Sequence, residues 1–164
     1  MPSNDGAVHA RSATPGDHAE VLRLAGVMFE AIGTPADAQW TAAASSALRD
    51  RLGDDVAVFV VDSPDDEGCL IAVAAGSIHR RLPVPGRPEG TAGFVQWVST
   101  DGRYRRRGAS RAVMSALMGW FDEREVEVVE LHATTAGEPL YRALGFDDPA
   151  ARNLRRSRRR GSDR

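Results

Sequence analysis

Lysine is absent from this chain of 164 residues, and all 21 of its basic residues are arginine. A Walker-type phosphate loop needs a Gly-Lys-Ser/Thr step, so that class of nucleotide site is excluded. The lysine-free, alanine- and arginine-rich composition reads as a genomic base bias, harmless to folding because both residues favour helices. Cysteine is nearly absent too. A single Cys69 excludes an internal disulfide and any cluster of cysteine metal ligands. His9, His18 and His79 lie far apart with no metal-ligand spacing, so no metal is expected. No apolar run reaches bilayer-spanning length, and the start MPSNDGAVHA lacks the basic and apolar regions of a secretion signal. The expectation is a cytoplasmic protein with no membrane partner.

What is present fits one globular domain: 42% hydrophobic and 27% charged residues. The net charge of −2 hides an asymmetry. From Arg152 onward seven arginines face one acid, Asp163, a surplus of six positive charges that leaves −8 on the rest. An acidic body argues against a domain-wide nucleic-acid footprint and favours a cationic partner.

Periodicity then orders the elements. Residues 8–13 (VHARSA) alternate as a short strand. Thr14-Pro15-Gly16-Asp17 carries a cap, a first-turn proline and a first-turn acid. The following helix should bury Val21, Leu24, Ala25, Met28 and Ile32 and stop at Gly33. A second, weakly amphipathic helix spans roughly 36–52. Residues 56–61 and 69–78 are β-rich runs around the turn Ser63–Gly68, an antiparallel hairpin. The stretch 82–90 holds three prolines and two glycines and must be irregular. Residues 93–100 form a third long strand. A helix follows, burying Ala112, Val113, Ala116, Leu117, Trp120 and Phe121, then a strand over 126–133, a short helix over 138–144, and a strand beginning at Phe146. The reading is a mixed α/β sheet protein, β-α-α-β-β-β-α-β-α-β, with a domain over 1–148 and an arginine-rich tail over 149–164. That tail, with Leu154 as its one large apolar residue, cannot order itself.

The most informative stretch joins a strand end to a helix start: Val98-Ser-Thr-Asp-Gly-Arg-Tyr-Arg-Arg-Arg-Gly-Ala-Ser-Arg111. A helix start presents unpaired backbone N–H groups and the positive end of the macrodipole, which suits phosphate. Gly108 lets the backbone approach a ligand, Ala109 and Ser110 keep the first turn uncrowded, and Arg105, Arg106, Arg107 and Arg111 add bidentate donors. The chemistry indicated is an anion site, most simply a diphosphate.

This stretch resembles the acyl-CoA signature of the GNAT N-acetyltransferase superfamily, Arg/Gln-x-x-Gly-x-Gly/Ala, with Arg105 and Gly108 in place and Ser110 where glycine or alanine is usual. A second match follows in order: Leu140-Tyr141-Arg142-Ala143-Leu144-Gly145-Phe146 resembles the family's Leu/Phe-Tyr-x-x-x-Gly-Phe. The resemblance implies the GNAT acyl-CoA N-acyltransferase fold with a splayed central sheet, and acetyl-CoA as acyl donor. It implies that Val98, Ser99 and Thr100 pair with the pantetheine arm and that residues 106–111 supply amides to the diphosphate. Tyr141 matches the family's general acid, placed to protonate the departing sulfur. Relatives often carry a glutamate base on the fourth strand. Here that strand reads Phe94-Val95-Gln96-Trp97 and has none.

His132 has a suitable intrinsic pKa for the base, and Glu30 is the alternative base or amine anchor; a water chain with no dedicated base stays open. Glu30 and Gln96 are the candidate substrate-side residues, and Trp40 a further lining residue. Cys69 is read as a small packed residue, which favours direct transfer in a ternary complex over a covalent acyl-enzyme. The acceptor is a small-molecule or peptide amine that the sequence does not name, and a homodimer is compatible with the family. The rival reading is a nucleic-acid- or ribosome-associated protein that uses the tail Arg155-Arg-Ser-Arg-Arg-Arg160 on a vestigial fold. No aromatic residue interleaves that tail, which weakens it.

Overall fold

The computed structural model describes residues 8–158. Residues 1–7 of the expected domain, and Arg159 and Arg160 of the tail, lie outside the described residues. By compactness the chain divides into Met1–His132 and Ala133–Arg164.

The first unit holds a five-stranded sheet in the order β1-β2-β3-β4-β5. Its strands are β1 (Arg11–Ser12), β2 (Val56–Asp62), β3 (Leu70–Arg80), β4 (Thr91–Thr100) and β5 (Val129–Leu131). The first four pair antiparallel, and β4 pairs parallel with β5. The helices are α1 (His18–Ala31), α2 (Ala38–Arg51) and α3 (Ala109–Glu123), the last carrying the crossover between the two parallel strands.

Strand alternation separates two cores. Val56, Val58, Val60, Val73 and Ala75 turn to one face, where they pack with Val21 and Leu24 of α1 and Leu48 of α2. The other face receives α3, whose buried stripe is Ala109, Val113, Met114, Leu117, Trp120 and Phe121. Ala109 and Met114 thus join the expected stripe, and Ala112 and Ala116 are half-buried. Ile32, expected in the α1 stripe, is 52% exposed because α1 ends at Ala31.

Phe121 is fully buried because two strand glycines make room for it. A Cβ on Gly93 would stand 2.6 Å from Phe121 Cε1, and one on Gly76 would stand 2.9 Å from Phe121 Cζ. Replacing Gly93 by Ala should therefore destabilise the fold by about 1–3 kcal/mol through overpacking. A thermal melt of the variant reads this, and an unchanged midpoint would mean that the sheet and α3 separate freely.

Three strands are shorter than expected or missing. The expected strand over 8–13 pairs only at Arg11–Ser12, where Arg11 binds Asp62 at 2.7 Å and Asp17 at 2.8 Å. The Thr14 N–H and hydroxyl both donate to Asp17, which opens a 3-10 turn at Pro15–Asp17 before α1 begins. The strand expected over 126–133 is confined to Val129–Leu131. Val126 instead closes α3, its N–H donating to the Phe121 carbonyl at 3.1 Å.

The second unit contains α4 (Glu138–Ala143). No strand starts at Phe146 among the described residues, which corrects the last element of the expected order. The reason is local. The Phe146 N–H donates to the Tyr141 carbonyl at 3.0 Å, and its carbonyl accepts from Arg142 at 3.5 Å, so both backbone groups are engaged by α4. Pro149, without an N–H, follows two aspartates and disfavours a ladder there.

Candidate active site

The cradle is built on the part of β4 that runs beyond the short strand β5. Parallel pairing with β5 covers Gly93–Val95, and among the described residues nothing pairs with β4 from Gln96 to Thr100 on that edge. A bulge against β3 lies at the same point of β4. Ala75 faces Trp97 while Gly76 faces Val95, so Gln96 is the extra residue on β4, and its side chain is exposed. Val98, Ser99 and Thr100 line the freed edge, with Ser99 buried.

After β4 the chain turns back through a short 3-10 turn at Gly102–Tyr104. Asp101 accepts the Arg103 N–H at 3.0 Å, and its own N–H bonds the Ile71 carbonyl at 2.8 Å. Two left-handed residues then aim the loop: Arg106 with φ of 61° and Gly108 with φ of 83°. The φ of Gly108 strains any side chain, while a Cβ there would meet nothing within 4 Å.

The first bond of α3 is from the Ala112 N–H to the Gly108 carbonyl, at 3.0 Å. The amides of Ala109, Ser110 and Arg111 precede it and have no intrahelical acceptor. Ser110, the departure from the family signature, has a structural use: its hydroxyl lies 2.5 Å from that of Thr100 and laces the strand end to the helix start.

Exposed guanidiniums surround the loop. Arg11, Arg23, Arg51, Arg81, Arg103 and Arg142 all pair with carboxylates. Among the described residues Arg105, Arg106, Arg107 and Arg111 do not, and all four are exposed. Free amides, an open space above Gly108 and unpaired bidentate donors together fit a diphosphate and the freed strand edge fits an amide-bearing arm.

The other expected residues are placed as follows. His132 follows β5 and is exposed, with its ring 5.3 Å from that of Phe94. Glu30 lies exposed near the end of α1. No hydrogen bond joins Glu30, Gln96 and His132 to one another among the described residues. Trp40 meets Phe29 at 5.3 Å and Trp97 at 6.0 Å, an aromatic cluster between the first two helices and β4. Near His132, Glu130 pairs with Arg81 at 2.5 Å, which holds its carboxyl below the usual range.

In the second unit, Tyr141 is half-buried, and its ring packs edge-on against Phe146 at 6.1 Å. Gly137 admits that ring, since a Cβ there would stand 2.9 Å from it. Burial pushes the Tyr141 phenol above its ordinary pKa, so it keeps its proton at neutral pH.

Two features of the cradle escaped the sequence, the backbone conformation of Arg106 and the burial of Tyr104. Arg106 gives no sign of a left-handed backbone, because long side chains rarely adopt one. Tyr104 is buried amid exposed arginines, and only its place as the lone aromatic residue of the loop hinted at this.

Residues 9–148 match the acetyltransferase (GNAT) domain family, most of the chain, and the protein belongs to that family of N-acetyltransferases. Solved structures share its fold. A predicted acetyltransferase with acetyl-CoA from Clostridium acetobutylicum aligns with a TM-score of 0.79 at 17% identity, over 92% of this chain and 96% of its own. A GCN5-related N-acetyltransferase from Ralstonia eutropha aligns at 0.70 with 26% identity, over 91% and 98%. An aminoglycoside N-acetyltransferase in complex with CoA aligns at 0.72 with 18% identity, over 96% and 99%. No curated protein sequence matches.

Proposed function

We propose that this protein transfers the acetyl group of acetyl-CoA to a primary amine by direct attack in a ternary complex. The observation that carries the proposal is the cradle: among the described residues, two left-handed positions, three α3 amides without an intrahelical acceptor and four arginines without a carboxylate partner, at the end of a strand that outruns its parallel neighbour. Neighbours of the same fold bear acetyl-CoA or CoA, which supports that donor. Those with named acceptors act on an aminoglycoside and on glucosamine-6-phosphate, which supports a small-molecule amine.

The residues divide the work by chemistry. Residues 106–111 bind the diphosphate, and Val98–Thr100 align the arm of the donor along the open edge. An alkylamine with a pKa near 10 is only about 10⁻³ neutral at pH 7, a handicap of about 4 kcal/mol, so the acceptor must lose a proton before attack. His132 takes that proton, with Glu30 and Gln96 holding the acceptor. Tyr141 gives a proton to the sulfur as the thioester breaks. Cys69, half-buried just before β3, forms no acyl intermediate.

Binding of the donor tests the proposal without knowledge of the acceptor. At a hundredfold excess over its dissociation constant, acetyl-CoA should stabilise the fold by about 2.7 kcal/mol. The melting midpoint should rise by roughly 5–11 °C for a chain of this size. No rise at millimolar acetyl-CoA would refute the assignment.

A further inference from the structure

Tyr104 stands out from the cradle loop by its burial. It is 4% exposed, while Arg103, Arg105, Arg106 and Arg107 around it are open to solvent. Its hydroxyl donates to Asp65 Oδ2 at 2.5 Å and lies 3.4 Å from the Ser63 hydroxyl, both in the turn between β2 and β3. Ser63 in turn stiffens that turn by accepting the N–H groups of Asp65 at 3.3 Å and Asp66 at 3.1 Å. On the ring stand two guanidiniums, those of Arg103 and Arg107, each 5.4 Å from its centroid.

These contacts join two segments of opposite charge. The turn carries Asp65, Asp66 and Glu67, which would repel a diphosphate, and the loop carries the arginines that would bind one. Arg103 spans the two, 3.8 Å from Asp66 and 3.3 Å from Asp101, and so is spent on the protein. Arg107 makes no ion pair among the described residues; its aromatic contact consumes no hydrogen-bond donor. A guanidinium held this way is ordered while its N–H groups stay free for a ligand.

We infer that Tyr104 is a positioning residue for the diphosphate half of the donor: it fastens the cradle loop to the β2–β3 turn through Asp65 and holds Arg107 in place with its ring. The inference rests on the acyl-CoA reading of the cradle. It assigns the hydroxyl and the ring separate tasks, which separate variants can resolve. Tyr104→Phe and Asp65→Ala release the fastening and leave the ring. Tyr104→Leu removes both.

The test is a calorimetric titration of the full chain with CoA and, separately, with pantetheine, which lacks the diphosphate and nucleotide. Tyr104→Leu should weaken CoA about tenfold, and Tyr104→Phe and Asp65→Ala about threefold each. The double variant Tyr104→Phe/Asp65→Ala should be no weaker than either single one, because both remove the same bond. Pantetheine should bind all variants within about twofold of the parent, a split that a general loosening of the fold would not produce. If Tyr104→Leu proves unstable, the phenylalanine variant and the exposed Asp65 carry the test. Parent-like CoA binding in the variants, or equal losses for CoA and pantetheine, would overturn the inference. A parent that binds no CoA would instead overturn the reading of the cradle, and the inference with it.

Discussion

Tyr141→Phe should lower kcat by about 10²- to 10⁴-fold, the contribution typical of a positioned proton donor, or roughly 3–5 kcal/mol of barrier. The expectation comes from the match of Leu140–Phe146 to the second family motif and from the state of the phenol. Any phenol keeps its proton at neutral pH, and burial moves this one further up, so the hydroxyl is protonated there. The substitution keeps the ring on Phe146 and in the space that Gly137 leaves, so packing is preserved. KM should stay near the parent value, since the proton is needed only as the carbon–sulfur bond breaks. Steady-state kinetics and an acetyl-CoA melting shift, run on the same preparation, separate the two effects. Turnover within about threefold of the parent would identify Tyr141 as a packing residue.

Gly108→Val should abolish the stabilisation by acetyl-CoA, a loss of about 2.7 kcal/mol at ligand concentrations a hundredfold above the parent's dissociation constant. The cause is twofold. A φ of 83° is closed to a β-branched residue, so the loop must change its path. The added side chain also enters the open space above Gly108, where no protein atom lies within 4 Å of a Cβ and where the diphosphate is proposed to sit. Gly108 is exposed and precedes the helix, so the unliganded protein should remain folded. A full melting shift in this variant would move the donor site away from the cradle.

The difference between what could and could not be read in advance follows from where the information resides. Gly108 was legible because glycine between a strand and an amphipathic helix has few other uses, and the α3 stripe was legible in outline because Val113, Leu117, Trp120 and Phe121 keep helical spacing. Arg106 was legible for its charge, but its left-handed backbone was not, since an arginine rarely adopts one. The small volume needed at Gly76 and Gly93 was equally hidden, because it answers to Phe121 on a helix many residues later. The last strand failed for a related reason. Its apolar start, Phe146, has both backbone groups taken by Tyr141 and Arg142, a commitment that strand propensity does not register. Local pattern thus outlined most of the elements and pointed to the cradle loop, and missed the features set by contacts distant in sequence or by a helix end.

The central claim, that this GNAT family member is an acetyl-CoA-dependent enzyme acting on an amine, is tested most directly by following CoA thiol release from acetyl-CoA across a panel of primary amines. The panel should span aminoglycosides, amino sugars, polyamines, amino acids and peptide N-termini. The account predicts thiol release that depends on one class of amine, is stoichiometric with acetylated product, and disappears in Gly108→Val. Release that is the same with and without every amine, from a protein that acetyl-CoA demonstrably stabilises, would contradict it and leave a protein that binds the donor without transferring its acetyl group.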